Sequence, residues 1–477
     1  MDYEVIIGLE VHAQLNTNSK LFCHCPTQFG AIPNSQVCPV CLGLPGALPV
    51  LNEKVLIYAL KAALALNCKI PEISRFSRKN YFYPDLPKAY QISQYDQPLA
   101  KDGYLEVLGE NNLIKKVGIN RIQIEEDAGK LIHSEEEESS LVDYNRCGVP
   151  LIEIVSEPEI KSIQETYEYL LNLKNILEYL EICDCNMEEG SLRCDANVSI
   201  RRKGENKFGT KTEIKNMNSF KGVQKALEYE VNRQTRLINE GKEVSQETRL
   251  WDADKQITLP MRNKEESSDY RYFPEPDLSP LVIKGELKNK VLVALPELPL
   301  PRYRRFIEEY KIPEYDAHLL VRDKKLADYY EEGVKFYPKP KVVSNWIISE
   351  LLGILSKKKE TLSQIKITPL QLAEMLKLID QGVISGKIAK DLLVLMDESG
   401  KDPGVIVKER ELEQIRDEEL IDKVLEKVIK ENFKVVEEFK KGKDKVLGFL
   451  VGQVMKETKG KANPEIVNQI LLKRLRS

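Results

Sequence analysis

The stretch GLEVHAQL, residues 8–15, alternates apolar and polar side chains with the two-residue period of a β-strand. The apolar face of this strand consists of Leu9, Val11, Ala13 and Leu15. The other face carries Glu10, His12 and Gln14, so a carboxylate and an imidazole lie two residues apart. The pattern predicts a strand that packs its apolar face in a core, while its polar face either contacts solvent or lines a site.

Three further segments alternate in the same way: NRIQIEED (120–127), PLIEIVSEP (150–158) and SLRCDANVSIRR (191–202). Their polar faces add Glu125, Glu153, Asp195 and Asn197. Two helical stretches, near residues 52–66 and 162–180, interrupt these short runs. The first part of the chain is therefore predicted to be an antiparallel α+β domain with one polar sheet face.

The 477 residues are too many for one hydrophobic core, which predicts several domains. The proline-rich segment LPELPLPRYRR, from Leu295, and SGKDPGV (399–405) have the composition of linkers. After the first linker, apolar residues recur every three or four positions, which predicts helices throughout. We expect an α+β domain at 1–292, an all-α domain at 293–404 and a small all-α tail at 405–477.

The charge distribution limits the kind of partner that the chain can bind. The net charge is -4, so contact with nucleic acid requires a local basic patch. Residues 430–477 hold 12 Lys or Arg against 6 Asp or Glu, which makes this the most basic region of the chain; a solvated lysine-rich helix pair would have this composition. The sequence has no membrane-length apolar run and no secretory signal, and nine cysteines fit a reducing, intracellular compartment better than a disulfide framework.

Four of the cysteines have the spacing of a metal site. Cys23 and Cys25 form one pair, Cys38 and Cys41 form the other, and 12 residues separate the two pairs. Four thiolates at this spacing suit a tetrahedral zinc ion with a closed coordination shell, which predicts a structural zinc knuckle. Four unliganded thiols or two disulfides are the alternatives.

The polar strand faces form a second candidate site. Their carboxylates, together with His12, are hard ligands that suit Mg²⁺, although any half-solvated strand carries such residues. The segment RKNYFYPDLPKAYQISQ (78–94) interleaves basic and aromatic residues, as a site that holds phosphates and stacks a base would; a packed loop is the alternative. The sequence has neither a G-x-x-x-x-G-K-[ST] loop nor a G-x-G-x-x-G motif, so metal and single Lys or Arg side chains would have to bind any nucleotide phosphates.

Long motifs along the whole chain resemble those of one family, the B subunits of the bacterial tRNA-dependent amidotransferases. The motifs occur in order and include GLEVHAQL, CPVCLGLPGALPVLN, RKNYFYPDLPKAYQISQ, NRCGVPLIEIVSEP, GSLRCDANVSIR, TEIKNMNSF and MRNKEESSDYRYFPEPDL. One departure is Gln123, at a position where histidine is common in the family.

The resemblance implies a cytoplasmic, heterotrimeric ligase with an amidase-like A subunit and a small C subunit. The A subunit would release ammonia from glutamine. The B subunit would use ATP and Mg²⁺ to phosphorylate the side-chain carboxylate of mischarged Glu-tRNA(Gln), Asp-tRNA(Asn) or both, and ammonia would then displace the phosphate. The resemblance further implies a cradle-like antiparallel domain with a zinc knuckle, a helical domain and a tail that binds tRNA.

The resemblance also suggests roles for individual residues. The residues expected to perform the reaction are Glu10, His12, Lys79, Glu125, Glu153, Arg193 and Asp195. The residues expected to bind ATP or to orient the substrate are Lys79, Tyr81, Ser191, Arg193 and Asn197. Among these, Glu10, His12 and Glu125 would hold magnesium. Glu153 and Asp195 would either support these ligands without touching the ion or bind a second ion.

Two rival functions remain open at the level of sequence. The first is a zinc-knuckle RNA-binding or scaffold protein without chemistry, and the second is a stand-alone ATP-dependent ligase for a small carboxylic acid. The complete set of acidic and basic residues favours the amidotransferase over the first, and the long helical part with its basic end favours it over the second. The sequence does not choose between Glu-tRNA(Gln) and Asp-tRNA(Asn).

Overall fold

The computed structural model describes residues 3–108, 114–133, 139–261, 270–414, 418–440, 447–458 and 462–476. Part of the motif at 261–278 and five of the lysines counted in the basic tail lie outside these ranges. The chain divides into two compact units, residues 1–299 and 300–477.

The first unit combines strands and helices. Its strands are β1 (Tyr3–Gln14), β2 (Ile73–Ser74), β3 (Ser77–Asn80), β4 (Tyr90–Ser93), β5 (Ala100–Leu108), β6 (Ile114–Glu126), β7 (Lys130–His133), β8 (Ser140–Asp143), β9 (Pro150–Ser156), β10 (Leu192–Arg202), β11 (Thr212–Met217), β12 (Glu247–Asp252), β13 (Ile257–Pro260), β14 (Phe273–Pro274) and β15 (Leu281–Val282). Its helices are α1 (Glu53–Ala65), α2 (Ile163–Tyr179), α3 (Phe220–Asn239) and α4 (Gly285–Val293).

A large sheet organises this unit. Eight strands pair in the order β13-β12-β11-β10-β1-β9-β6-β5, and small sheets form from β14-β3-β4, β15-β2 and β7-β8. The four strands predicted from alternation are β1, β6, β9 and β10, and all four are confirmed. The sheet departs from the predicted antiparallel arrangement at one pair, because β12 runs parallel to β11 after the chain has passed through α3.

One face of the sheet packs in the first core. Leu9, Val11 and Ala13 of β1 are at most 1 % exposed and lie in one cluster with apolar side chains of α1, α2 and α3. Complete burial of a leucine or valine side chain contributes about 1.5–3 kcal/mol, so this face holds β1 firmly in place. The polar side chains of β1 therefore lie on the opposite face.

Helix α3 is an element that the sequence analysis missed, whereas α1 and α2 match the two predicted stretches. Ser219 caps α3 by accepting a hydrogen bond from the backbone N–H of Gly222. Val223, Ala226 and Leu227 recur at helical spacing and are fully buried. The many charged residues between them hid this periodicity, which is that of an amphipathic helix.

The regular elements that the structure describes in the second unit are helices, as predicted. Its helices are α5 (Pro299–Glu308), α6 (Glu314–Val321), α7 (Lys324–Phe336), α8 (Pro340–Trp346), α9 (Leu352–Lys358), α10 (Pro369–Asp380), α11 (Gly386–Ser399), α12 (Pro403–Glu409), α13 (Glu418–Glu431), α14 (Phe433–Lys440), α15 (Leu447–Glu457) and α16 (Pro464–Arg476). A π-helical turn, Ile347–Leu351, joins α8 to α9, and a 3₁₀ turn covers Leu362–Gln364. None of the described helices is long and apolar enough to cross a membrane.

The second unit contains two separate cores. One core consists of buried side chains from the sequence range Phe306 to Val407, and the other consists of buried side chains from the range Ile421 to Leu475. The predicted linker at 399–405 overlaps α12, which packs Ile406 and Val407 into the former core. Pro403 therefore begins a helix, where its missing N–H costs nothing, instead of marking a linker. Residue 292, the other predicted boundary, lies within α4.

Candidate active site and metal centre

The polar faces of four strands meet because of the strand order and register. Glu10 of β1 lies opposite Asp195 of β10. His12 pairs with Glu153 of the other neighbour, β9. Strand β6 follows β9 in the sheet and carries Glu125. The predicted residues Glu10, His12, Glu125, Glu153 and Asp195 are thus brought to one place, which we call the acidic centre.

The acidic centre consists of two overlapping ligand groups that share His12. Glu10, His12 and Asp195 offer ligand atoms within 4.8 Å of one another, and so do His12, Glu125 and Glu153. His12 Nε2 is 3.5 Å from Glu153 Oε2 and 3.7 Å from Glu10 Oε1. A carboxylate-rich set with one imidazole at these distances fits a hard divalent cation.

The electrostatics also fit a cation. Burial raises the pKa of Glu125, which is 3 % exposed, and the charge of Glu153 raises it further. Burial and the charge of Glu153 raise the pKa of Glu10 in the same way. Burial opposes ionisation of Glu153 as well, but the hydrogen bond and charge of His12 lower its pKa to about 2. A bound divalent cation would relieve this repulsion between buried carboxylates.

His12 responds to the same charges. Burial by itself lowers the pKa of an imidazole, but the hydrogen bond to Glu153 and the charges of Glu125, Glu153 and Glu10 outweigh it and raise the pKa of His12. Protonated His12 would be the internal counter-ion of the carboxylates, whereas a metal requires the neutral imidazole.

Gln123 lies between two carboxylates, and the sequence analysis gave it no role. Its amide nitrogen donates to Glu125 Oε1 at 2.7 Å and to Glu153 Oε2 at 3.1 Å. Its amide oxygen accepts a hydrogen bond from Arg121 Nε at 3.1 Å. Gln123 therefore holds both carboxylates in fixed orientations. Its place on the same strand face as Glu125 was the signal that could have revealed this role.

Besides Arg121, whose guanidinium is 3.3 Å from Glu153 Oε1, three basic side chains surround the acidic centre, and they differ in their partners. Lys79 lies over the ring of Tyr270, 4.7 Å from its centroid, and makes no ion pair with any described residue. Arg193 Nη2 donates a hydrogen bond to Asp127 Oδ1 at 3.0 Å. Lys215, which sequence reasoning missed, contacts Asp195 at 2.6 Å. Lys79 is therefore available to a ligand. Arg193, by contrast, would have to bind phosphates while it is paired with Asp127.

The other predicted contact residues lie in different surroundings. The Tyr81 ring packs edge-on against Tyr270, 5.7 Å between centroids. Asn197 is on β10 opposite Gly8, and its Oδ1 atom is buried without a hydrogen-bond partner. Asn197 and Glu10 line a cavity of about 280 Å³.

Ser191 does not join the acidic centre. Its hydroxyl hydrogen-bonds to Asp184 and accepts from the backbone N–H of Asn186 at 2.8 Å, so it closes its own turn. The Ser191 hydroxyl is thus used within this turn, and its role in orienting a substrate stays a prediction.

The four predicted cysteines form a second cluster in the same unit. Their sulfur atoms all lie within 4.8 Å of one another. The Cys38 and Cys41 sulfurs are 3.9 Å apart, close to the roughly 3.8 Å that two ligands of a tetrahedral zinc ion would have with zinc–sulfur bonds of about 2.3 Å. None of these cysteines is in a disulfide. A hydrogen bond from the Cys23 thiol lowers the pKa of Cys41 to about 4, so the cluster readily supplies a thiolate.

Comparison with known proteins matches both units. A family model described as the GatB/GatE catalytic domain covers residues 5–289, and one described as the GatB domain covers residues 328–475. The chain belongs to the GatB/GatE family. The family resemblance predicted from the sequence motifs is thereby confirmed.

Full-length relatives of this GatB/GatE member are named as the B subunit of aspartyl/glutamyl-tRNA(Asn/Gln) amidotransferase. The protein of Carboxydothermus hydrogenoformans is 59% identical over 477 residues, covering 99% of each chain. That of Caldanaerobacter subterraneus is 58% identical over 475 residues, and that of Geotalea daltonii is 52% identical over 478 residues, each covering 100% of both chains. The acidic centre and the four cysteines all lie within the part that the GatB/GatE catalytic domain covers.

Proposed function

We propose that this chain is the B subunit of a tRNA-dependent amidotransferase, a ligase that uses ATP to convert Glu-tRNA(Gln), Asp-tRNA(Asn) or both into the amidated form. The observation that carries the proposal is the convergence of Glu10, His12, Glu125, Glu153 and Asp195 inside a GatB/GatE catalytic domain.

The reaction requires activation because a side-chain carboxylate is a poor electrophile. An oxygen of the glutamyl or aspartyl carboxylate attacks the γ-phosphorus of ATP, and ADP leaves. Ammonia then attacks the acyl carbon, inorganic phosphate leaves, and a proton is released. The carboxylate nucleophile is already charged, so the site has to align the reactants and neutralise charge.

The acidic centre supplies what this reaction needs. We propose that Glu10, His12 and Glu125 hold Mg²⁺, which when bound neutralises charge on the ATP phosphates. Glu153 accepts a hydrogen bond from His12, and Asp195 belongs with Glu10 and His12 to the other ligand group.

Lys79 is the side chain proposed to contact the ATP phosphates directly, because it makes no ion pair with a described residue. Tyr81 and Tyr270 would hold its ammonium group in place through their rings. Arg193, fixed by Asp127, would add positive potential from its present position. Asn197 is proposed to orient the substrate in the cavity next to Glu10.

The remaining parts would serve assembly and tRNA binding. We propose that Cys23, Cys25, Cys38 and Cys41 hold a structural zinc ion, and that an amidase-like A subunit and a small C subunit deliver the ammonia. Residues 405–477, whose core gathers side chains between Ile421 and Leu475, are proposed to bind tRNA through their excess of basic residues. A tRNA substrate implies that the enzyme works in the cytoplasm.

The test is a reconstituted reaction with the chain, its two partner subunits, mischarged tRNA, ATP and glutamine. We expect phosphate release coupled to amidated tRNA, and a comparison of Glu-tRNA(Gln) with Asp-tRNA(Asn) gives the preference. Binding of tRNA without ATP turnover would instead support the scaffold alternative. Turnover with free glutamate or aspartate would support the small-molecule ligase.

A further inference from the structure

Lys20 is a fully buried lysine, 0 % exposed, that the proposed reaction does not use. It follows β1 in the chain and precedes the first cysteine of the four-cysteine cluster. A lysine is rarely buried completely unless its charge is compensated, so the surroundings of this ammonium group call for an explanation.

All three N–H groups of the Lys20 ammonium have an acceptor. The nitrogen is 2.7 Å from the carbonyl oxygen of Gln36, 3.4 Å from that of Tyr144 and 3.7 Å from the sulfur of Cys41. No carboxylate of the described residues lies within 4.0 Å of it. Of its three acceptors, only the Cys41 sulfur can carry a full negative charge.

The charge of a filled cysteine cluster complements that of Lys20. Four thiolates around one Zn²⁺ carry a net charge of minus two, and that charge would be partly buried here. An ammonium group at hydrogen-bond distance from one sulfur halves this net charge and satisfies a sulfur lone pair. The same sulfur accepts from the backbone N–H of Cys38 at 3.1 Å, so Cys41 is held from two sides.

We propose that Lys20 is the counter-ion of the zinc–thiolate centre and the residue that positions Cys41. Its bond to the Gln36 carbonyl orders the loop just before Cys38, and its bond to the Tyr144 carbonyl ties that loop to the turn after β8. Lys20 thereby joins the cysteine loop to the sheet. Partners of metal ligands in this position commonly change metal affinity by about 10- to 100-fold when they are removed.

The experiment compares the full-length chain with three variants. Lys20→Met removes the charge and keeps the apolar stem, Lys20→Arg keeps a cation, and Lys54→Met removes an exposed lysine in the first turn of α1. Zinc release to a chromogenic chelator is followed under native conditions, and circular dichroism confirms that each variant is folded. We expect faster release from Lys20→Met by about 10- to 100-fold, partial rescue in Lys20→Arg and no change in Lys54→Met.

A spectrum separates the electrostatic role from a merely structural one. The protein is loaded with Co²⁺ in place of zinc, and its thiolate-to-cobalt charge-transfer band is recorded. Loss of the ammonium group raises the energy of the sulfur electrons, so the band of Lys20→Met should move to longer wavelength, whereas that of Lys54→Met should not move. Equal release rates and identical bands in wild type and Lys20→Met would overturn the proposal.

Wild-type protein provides a second measurement in case Lys20→Met does not fold. An amine-reactive reagent is added to zinc-loaded and zinc-stripped samples, and labelling at each lysine is read by mass spectrometry. Lys20 should be protected with zinc and labelled without it, while labelling of Lys54 stays constant. Protection of Lys20 that does not depend on zinc would contradict its role as the counter-ion. The inference rests on the proposed zinc site, but none of these measurements uses amidotransferase activity, so failure of the proposed reaction would be distinguishable from failure of the inference.

Discussion

The first unit holds two clusters of side chains that could hold a metal ion, and they are built in opposite ways. The cysteine cluster comes from one continuous segment, Cys23 to Cys41, and its sulfur ligands are placed by turns. The acidic centre takes its oxygen and nitrogen ligands from β1, β6, β9 and β10, which lie far apart in the chain. One cluster depends on local loop geometry, and the other depends on the register of a whole sheet.

Under the proposed function, this difference separates a structural ion from one that takes part in the reaction. Four thiolates fill the coordination shell of zinc, so the cysteine cluster has no position for a substrate. The acidic centre offers oxygen ligands to an ion that usually keeps several water or phosphate positions open. Loss of a ligand should therefore affect folding at the first cluster and catalysis at the second.

The largest expected effect is at the cysteine cluster. Cys38→Ser should reduce the metal content from about one zinc per chain to almost none, and it should lower the melting temperature because zinc binding and folding of such a site are coupled. Atomic absorption and thermal denaturation measure the two effects. The matched control is Cys68→Ser, a buried cysteine outside the cluster, which should retain zinc. An unchanged metal content in Cys38→Ser would contradict the zinc site.

The next effect should be catalytic without being structural. Glu125→Gln keeps the size of the side chain but removes a charge from the acidic centre, so ATP-dependent amidation should fall by roughly 10²- to 10³-fold. Binding of tRNA, measured by filter retention, should persist, and the exposed control Glu286→Gln should retain activity. Equal loss of activity and tRNA binding would mean that Glu125 supports the fold instead.

A smaller effect is expected at Lys79. Lys79→Met should raise the KM for ATP by about tenfold, which corresponds to about 1.4 kcal/mol, because one direct contact to the phosphates is lost. The exposed control Lys69→Met should leave the KM unchanged, since Lys69 is 80% exposed. A lower kcat at constant KM would indicate that Lys79 acts on the reacting atoms and not in ATP binding.

The smallest effect is a shift on the pH axis. Glu153 raises the pKa of His12, and only neutral His12 can bind a metal, so the magnesium requirement should increase as the pH falls through that pKa. Glu153→Gln lowers the pKa of His12 and should move this increase to lower pH by about one unit, equivalent to about 1.36 kcal/mol. Half-saturating magnesium measured across pH checks this, with Glu286→Gln as the control. A shift to higher pH would contradict the assigned role of Glu153.

The contrast between the clusters also explains how much could be predicted. The cysteine cluster was found from spacing, and the polar strand faces were found from alternation, because both signals are local. Alternation cannot tell which strands become neighbours, so the opposition of Glu10 to Asp195 across β1 and β10 required the structure.

Side-chain pairing was the part that could not be predicted. Arg193 and Ser191 have side chains that suit the predicted roles. In the structure, however, Arg193 is paired with Asp127, and the Ser191 hydroxyl is hydrogen-bonded within its own turn. Lys215 reaches Asp195 from β11, a strand that no alternation signal marked. Gln123 was visible on the correct face, yet an uncharged amide gave no reason to assign it a role in orienting two carboxylates.

The position of β1 has a consequence for the order in which parts of the molecule open. Residues 10–13 are hydrogen-bonded in a ladder on both sides, to β9 and to β10. Backbone amides in such a central strand exchange with solvent only when the whole unit unfolds, whereas loop amides exchange through local opening. The segment that carries Glu10 and His12 should thus be among the last to exchange hydrogen for deuterium, and its geometry should survive fluctuations that expose the neighbouring cysteine loop.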